Sequence, residues 1–403
     1  MSCKNRHPLG AEGEGFWMSK KRMLSALLAM TMVLAGTVGV GAAGSFKVGA
    51  VGPSTGPVAT YGLSVLNAVV LAVEEEVNAA GGILGQQIEL IIEDNKADAI
   101  ETNNAFRKLT SRDQVHAIIG AVVTANSIVG SQVAQMMKVP MITPTSTAEK
   151  VTQEGDYIFR SCLIDPVQAV IMGNFAYNSL GLREVAILTA QTNDYSVGLT
   201  EVFTETFGKL GGKVVAAESY SEGDQDFKAQ LTKIRARNPE AIYVPGYYTE
   251  AGLIARQMRQ LGMDQPILGP DGFDSPKLIE IGGEAIRGSY FTNHYSKETD
   301  DEVSQNFVAN YRAKYNEDPD GFAALGYDAA LILFDAIQRA GEGALSKNVA
   351  TARKAIRDAM ADTKDLKAVT GTLTLDENRN PVKSAVILKV VEDGYEFVER
   401  VEP

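Results

Sequence analysis

Short apolar runs alternate with longer amphipathic stretches along most of this chain. The run at 46–51 has strand length, and apolar residues then recur every three or four positions until Gly81 and Gly82. This spacing predicts an amphipathic helix, and glycines are typical of a helix end. Further strands are predicted at 87–93, 117–120 and 141–143. The alternation of strands and helices predicts a parallel sheet with helices on both faces.

A second, similar set of elements follows Arg160. Its predicted strands are 185–188, 214–217, 241–244 and 266–268, and its predicted helices are 197–210, 227–237 and 251–261. The pattern then becomes less regular, with helices at 303–315, 323–340 and 349–360 and strands at 373–375, 385–391 and 395–401. Asp393-Gly394 joins the last two strands and is a strong hairpin signal. Two comparable sets of strands and helices imply two α/β lobes.

Polar side chains follow several of these predicted strands at the point where each strand ends. They are Thr124, Thr145, Thr147, Tyr247 and Asp271. In open α/β sheets, ligands bind outside the carboxyl ends of the parallel strands. The placement of these side chains therefore predicts a ligand site at the strand ends.

The chemistry of these residues divides into two kinds. The threonine hydroxyls, with the free amides of Ala125 and Asn126 at the predicted helix start, suit a carboxylate. Asp271 with the phenols of Tyr195 and Tyr247 suits an ammonium group, through charge pairing and cation–π contact. Together they predict a pocket for a free amino acid.

Each of these residues also has a purely local explanation. Thr124 is suited to a helix N-cap, and the hydroxyls around Thr145 suit a turn. Asp271 lies in a Gly-Pro-Asp-Gly sequence that a surface turn would explain. Glu250 competes with Asp271 as the acid, although helix starts favour acids anyway. Tyr61 ends a Gly-rich segment without phosphate-loop or dinucleotide spacing, and a lone tyrosine is more often a packing residue.

The N-terminal sequence has the order of a secretory signal. Basic residues at 20–22 precede an apolar stretch at 24–40, and small residues follow. We therefore expect a secretory signal over 1–43, with translation starting at Met18. An uncleaved membrane anchor is the alternative, which the shortness of the stretch and its Gly, Ala and Thr content disfavour.

Cysteine usage bears on both export and cross-linking. Of the two cysteines, Cys3 precedes the predicted signal, so Cys162 has no partner for an internal disulfide after cleavage. A lipoprotein signal would place a cysteine after residues 34–36, where this chain has Thr37. We therefore expect a freely soluble protein of the periplasm rather than a lipid-anchored one.

Composition and motifs argue against two classes of function. The formal net charge of −12 excludes nucleic-acid binding by composition. His116 and His294, the histidines beyond the predicted signal, lie in no metal or triad spacing, and no CxxC, HExxH or GxSxG sequence occurs. We expect no cofactor and no enzyme activity.

Several segments beyond Phe46 also carry a family resemblance. They are Val48-Gly49-Ala50-Val51-Gly52, Thr55-Gly56-Pro57 with Tyr61-Gly62, Asn78-Ala79-Ala80-Gly81-Gly82-Ile83 with Gly85, Met141-Ile142-Thr143-Pro144, Tyr157-Ile158-Phe159-Arg160 and Gly246-Tyr247. The chain from Phe46 to its C-terminus resembles the leucine/isoleucine/valine-binding proteins of bacterial ABC importers.

This resemblance implies a fold class and a domain division. The fold is α/β, with two doubly wound parallel-sheet lobes joined by a three-segment hinge, the type I periplasmic binding protein fold. The implied crossings lie near 160–165, 290–296 and 369–375. Lobe 1 is then 44–162 plus 295–371, and lobe 2 is 163–294 plus 372–403.

The resemblance also implies roles for the site residues. The ligand carboxylate would meet Thr124 and Thr147, with Thr145 offering its backbone, and the ammonium would meet Asp271, where many relatives have Glu. The aromatic positions lining the cleft match Tyr61, Tyr195 and Tyr247. Two departures are Thr124 in place of Ser, and Val123 where some relatives have a disulfide cysteine. The shorter Asp271 and the bulkier Thr124 leave the side-chain preference of the site open.

The resulting expectation is a monomeric solute-binding protein that closes on an amino acid and delivers it to membrane permease subunits with their ATPases. Leucine, isoleucine and valine are the expected ligands. Three alternatives remain open: the same fold binding a short amide, urea or aromatic acid; a soluble sensory subunit; and an enzyme that uses the same cleft.

Overall fold

A computed structural model describes residues 44–298 and 301–402. The predicted secretory signal at 1–43 lies outside the described residues. The first set of elements consists of strands β1 (Ser45–Gly52), β2 (Gln87–Asp94), β3 (Ala117–Gly120), β4 (Met141–Thr143) and β5 (Ile158–Arg160), with helices α1 (Ala59–Ala72), α2 (Ala99–Arg107), α3 (Thr124–Met136) and α4 (Lys150–Gln153). Wider helical turns extend α1 to Asn78 and α2 to Arg112.

The second set begins with helix α5 (Asp165–Asn174) and runs to strand β10. Its strands are β6 (Glu184–Ala190), β7 (Lys213–Tyr220), β8 (Ala241–Tyr243), β9 (Ile267–Gly269) and β10 (Tyr290–Asn293), and its remaining helices are α6 (Asp194–Lys209), α7 (Lys228–Arg235), α8 (Tyr248–Gln260) and α9 (Pro276–Gly282).

The last part of the chain contains three helices and five strands among the described residues. The helices are α10 (Glu302–Tyr315), α11 (Gly321–Ala340) and α12 (Val349–Ala361), and the strands are β11 (Leu366–Ala368), β12 (Gly371–Leu375), β13 (Pro381–Val382), β14 (Ala385–Val391) and β15 (Gly394–Val401). The predicted hairpin at Asp393-Gly394 is confirmed, since β14 and β15 pair antiparallel around it.

The strands form two large sheets whose order explains where a site can lie. The first has the order β2-β1-β3-β4-β5 and is parallel throughout; the second has the order β15-β14-β10-β9-β8-β6-β7 and is parallel from β10 to β7. The strand order reverses between β1 and β3 in one sheet and between β6 and β8 in the other. The loops beyond the carboxyl ends at such a reversal part and leave a crevice.

Helices cover both sheets, and α11 is the most deeply buried of them. It packs along α1, and a Cβ on Gly326 would lie 2.8 Å from the carbonyl oxygen of Val65. The two helices therefore approach this closely only because Gly326 has no side chain. Among the described residues, 321–343 is the one segment long and apolar enough to span a membrane, but 83% of its apolar window is buried in the protein. Its composition is that of a core helix.

After β10 the chain returns to pack on the first set of elements through α11, and β14 and β15 then join the second sheet. The side chain of Arg379 donates to the carbonyl oxygens of Ile158 (3.0 Å) and Thr152 (2.8 Å), both in the first set of elements. The sheet of the second set takes up the chain again at Ala385. Residues 372–380, predicted to open lobe 2, therefore still lie against lobe 1. We propose on these contacts that the third crossing lies between Asn380 and Ala385, and the division into lobes stays a prediction.

Candidate ligand-binding site

Helix α3 begins at the end of β3 with an uncapped first turn. Val123 occupies the N-cap position in an extended conformation, so Thr124 is the first helical residue and not the cap itself. The amides of Thr124, Ala125 and Asn126 have no acceptor among the described residues. Such a helix start offers free N–H groups and a positive dipole end to an anion.

Of the hydroxyl residues after β4, Thr145 and Ser146 stabilise the loop, and Thr147 faces a buried acid. Thr145 donates to the carbonyl oxygen of Val122 at 2.6 Å, and Ser146 donates to the same oxygen at 3.0 Å. These bonds fix the loop after β4 against the loop after β3. The Thr147 side chain faces the carboxyl group of Asp165, whose amide donates to the Thr147 carbonyl oxygen at 3.0 Å. Burial raises the pKa of Asp165 well above its ordinary value, and the Thr147 hydroxyl acts in the opposite direction.

Asp271 follows β9 and is 3% exposed. One carboxylate oxygen accepts a hydrogen bond from the Tyr195 hydroxyl at 2.5 Å, and the other lies 2.9 Å from Nε2 of His294. The Asp271 amide donates to Oε1 of Gln168 at 3.2 Å. A carboxylate has about four lone-pair positions, so both oxygens keep acceptor capacity for a ligand.

Aromatic rings from both lobes form the side walls of the site. Tyr195 and Tyr247 are stacked, with centroids 5.4 Å apart, and belong to the second set of elements. Tyr61 and Phe322 are stacked at 4.1 Å and belong to the first. Tyr61 also meets Tyr247 edge to face at 5.8 Å, so the two pairs of rings are in contact.

Direct hydrogen bonds join the two lobes around these rings. The Tyr61 hydroxyl donates to the carbonyl oxygen of Gly272 and accepts from the amide of Tyr248 at 3.3 Å. The Tyr248 hydroxyl donates to the carbonyl oxygen of Pro57 at 3.0 Å. Lys150 and Asp194 form an exposed ion pair of 2.6 Å between the same two lobes. The structure is therefore a closed arrangement of the two lobes.

A narrow cavity, partly open to solvent, lies between the strand ends of the two sheets. The predicted residues that line it are Tyr61, Thr124, Thr145, Thr147, Tyr195, Tyr247 and Asp271, and the other lining residues are Val122, Val123, Gly272 and Phe322. Ala125, the remaining predicted residue, has an exposed side chain and does not line the cavity. Its backbone amide in the first turn of α3 is what it can offer to a ligand.

The structure adds residues that sequence reasoning did not single out. Phe322 stands at the start of α11, far along the chain from the strand ends that guided the prediction. His294 was noted, but its lack of a motif spacing gave no reason to connect it with Asp271. The polar contacts of Gln168 could not be anticipated, because no helix was predicted over α5.

Two observations on the described residues concern metal binding and the reactivity of the free thiol. Within 44–298 and 301–402, no group of three or more His, Cys, Asp or Glu side chains could hold a metal ion. Cys162 is fully buried, and burial raises the pKa of its thiol to about 12. A thiol with such a pKa is a poor nucleophile.

Comparison with known proteins identifies the class to which this fold and cavity belong. Residues 45–395 match the family model described as periplasmic binding protein. The chain belongs to this family of solute-binding proteins, and the predicted type I fold is confirmed.

Individual relatives narrow the comparison to one branch of that family. The chain is 30% identical over 353 residues to Leu/Ile/Val-binding protein homolog 3 of Brucella melitensis, covering 87% of this chain and 93% of that protein. The leucine-binding protein LivK of Thermotoga maritima superposes with a TM-score of 0.83 at 39% identity, covering 89% of this chain and 99% of LivK. LivJ of Streptococcus pneumoniae, solved with isoleucine, gives 0.82 at 34% identity, covering 89% and 100%. The resemblance to branched-chain amino acid binding proteins is confirmed.

Proposed function

We propose that this protein is the extracytoplasmic solute-binding component of an ABC importer. It captures a free branched-chain amino acid between its lobes in the periplasm and delivers it, as a monomer, to the membrane permease. The relatives named for leucine, isoleucine and valine support this assignment. The observation that carries it is the polarity of the cavity: an uncapped helix start with threonines on one side and a buried acid on the other.

The two poles assign an orientation to the ligand. The carboxylate meets the amides of Thr124 and Ala125 and the hydroxyl of Thr147, while the ammonium meets Asp271. The aliphatic side chain lies among the rings of Tyr61, Tyr247 and Phe322, where burial of apolar surface favours it. Asp271 disfavours an aromatic acid without an amine, because that ligand would leave the buried carboxylate without a counter-charge.

Isothermal titration calorimetry with matched ligands tests the assignment. The protein is unfolded, dialysed and refolded first, so that any co-purified solute is removed. Leucine, isoleucine and valine are compared with leucinamide, which lacks the carboxylate, and with 4-methylpentanoate, which lacks the amine. We expect the three amino acids to bind and both truncated analogues to bind at least about 100-fold more weakly, on the scale of a lost charged partner. Tight binding of 4-methylpentanoate or benzoate would instead support the aromatic or simple-acid alternative.

A further inference from the structure

The buried ring of His294 connects the acid of the site to the backbone of the first crossing. His294 follows β10 and is 3% exposed. Its Nδ1 accepts a hydrogen bond from the amide of Leu163 at 3.4 Å, and its Nε2 lies 2.9 Å from Oδ2 of Asp271. A neutral imidazole has one acceptor and one donor nitrogen. These two contacts therefore fix the neutral tautomer with the proton on Nε2, which donates to Asp271.

Two crossings between the lobes are in contact at this ring, and the third lies near it. His294 itself stands on the second crossing, and Leu163 belongs to the first. The third crossing contributes Lys383, which is 5% exposed, donates to Thr370 Oγ1 at 2.8 Å and lies close enough for its charge to lower the pKa of His294. Asp271 faces the ring from the turn after β9, and Cys162 on the first crossing interacts with both Asp271 and Lys383. The ring thus joins the first two crossings, which must shift relative to each other when the lobes part.

We propose that His294 is a positioning residue that couples recognition of the ligand ammonium to the arrangement of the hinge. This inference rests on the proposed function. The Nε2–H bond holds one oxygen of Asp271 while Tyr195 holds the other, which orients the carboxylate in the cavity wall. Because the same ring binds the Leu163 amide, displacement of the first crossing weakens its hold on Asp271. The acid is therefore best placed for an ammonium group when the lobes are closed, and a ligand favours the state that it binds better.

Protonation of the ring would disturb both bonds. Burial lowers the pKa of His294 below its ordinary value, although Asp271 acts in the opposite direction. When the ring does take up a proton, Nδ1–H points at the Leu163 N–H, so two donors face each other. The imidazolium also neutralises Asp271, which then attracts an ammonium group less. Ligand affinity should therefore fall as the pH falls.

Two substitutions of His294 distinguish the effect of its hydrogen bonds from the effect of the space that its side chain fills. In His294→Gln, the side-chain amide keeps one acceptor and one donor but does not titrate; in His294→Leu, both are lost. At about pH 7.5 we expect His294→Leu to bind leucine about 10- to 100-fold more weakly and His294→Gln to stay within about fivefold of wild type, the usual scale for a hydrogen bond to a charged group. Below the ordinary histidine pKa of about 6.5, where the buried ring takes up its proton, the wild type should lose affinity as the pH falls while His294→Gln does not.

His116 provides a matched control for this experiment. Its ring is also largely buried, packs on Phe46 and accepts from the Lys47 amide at 3.0 Å, away from the cavity. Burial lowers its pKa as well. His116→Gln should leave both the leucine affinity and its pH dependence unchanged. Leucine binding unaffected in a folded His294→Leu variant, or an acid decline that persists in His294→Gln, would overturn the proposal.

Hydrogen exchange at the Leu163 amide tests the hinge contact without any ligand. We expect exchange at Leu163 to accelerate about tenfold or more in His294→Leu and to remain near wild type in His294→Gln, because only the leucine removes the acceptor. Unchanged exchange at Leu163 in His294→Leu would refute the coupling even if leucine binds. Failure of wild type to bind any branched-chain amino acid, with exchange behaving as expected, would instead refute the proposed function.

Discussion

Asp271 is the residue on which recognition of an amine depends most directly. It is buried, it accepts from Tyr195 and His294, and it lines the cavity. An ammonium group bound there is removed from water. Its attraction to a carboxylate is stronger in this buried site than in solvent. Its partners are already in place in the closed structure, so the acid needs little reorganisation to receive a ligand.

Replacement of this acid gives a prediction at the scale of one residue. We expect Asp271→Ala to cost about 2–5 kcal/mol of leucine binding, the usual range for leaving a buried charge unpaired. Titration calorimetry measures the loss. Asp194→Ala is the control: Asp194 is exposed and pairs with Lys150, so its removal should cost less than about 1 kcal/mol. Equal affinities for wild type and Asp271→Ala would remove this acid from the site.

Some site residues were predictable from the sequence because each follows a strand. Thr124, Thr147, Tyr247 and Asp271 all come directly after an apolar run, and the geometry of parallel sheets gathers such positions at one edge. Phe322 follows no strand and reaches the cavity only because α11 packs along α1. Contacts of this kind depend on the packing of distant segments, which periodicity in a single sequence does not specify.

At the scale of elements, the turn after β9 lies directly against two other loops. Gly272 donates its N–H to the Tyr195 hydroxyl at 3.0 Å and accepts a hydrogen bond from Tyr61 at its carbonyl oxygen. A Cβ on Gly272 would lie 2.5 Å from the carbonyl oxygen of Gly246 and 3.1 Å from the Tyr195 hydroxyl. The absence of a side chain here is therefore what allows the turn after β9 to meet the loops after β6 and β8.

This close contact predicts the effect of adding one methyl group. Gly272→Ala should push the turn away from Tyr195 and weaken leucine binding about tenfold or more, on the 1–3 kcal/mol scale of overpacking. Gly208→Ala is the matched control, because a Cβ there meets nothing within 4 Å and the residue lies within α6. That change should leave binding intact and raise stability by about 0.5–1 kcal/mol. Thermal denaturation of both variants measures their stability, and calorimetry measures their leucine affinity. The two measurements together distinguish a weakened site from an unfolded protein.

Most elements were recognised from their pattern, including α11 and the three-residue strands β4, β8 and β9. Strand β5 and helix α5 are among the exceptions. Helix α5 is buried over most of its surface, so it lacks the polar face that makes a helical period visible. The third crossing was inferred from the resemblance, and the side-chain bonds of Arg379 to Ile158 and Thr152 are contacts that no sequence pattern records.

At the scale of the whole molecule, closure brings together one acid from each lobe. Asp274, after β9, accepts from the Gly321 amide at 2.7 Å, and Asp320 caps the same helix by accepting from the Ala323 amide at 2.8 Å. Desolvation raises the pKa of Asp274 to about 6 and that of Asp320 to about 7, and the charge of Asp274 adds to the second shift. Both values lie above those of an unfolded chain, so this pair stabilises the fold at low pH and loses that contribution as the pH rises through about 7.

Removal of the Asp320 charge should reduce the loss of folding stability at high pH. Asp320→Asn keeps an acceptor for the Ala323 amide, so we expect it to be more stable than wild type by on the order of 1 kcal/mol at about pH 8 and no more stable at about pH 4. Denaturant titrations at both pH values provide the measurement. Asp98→Asn, at the exposed N-cap of α2, should show no such difference. A stability gain of the same size at both pH values would mean that the two acids do not repel each other.

The hydrogen bonds of Tyr61 with Gly272 and Tyr248 must break before the two lobes can separate. A ligand that dissociates through this opening has a residence time set by how often the lobes separate. An excess of competing ligand would not accelerate that separation. A permease complex that binds both lobes and draws them apart would accelerate it. Slow spontaneous release would then become rapid release at the membrane.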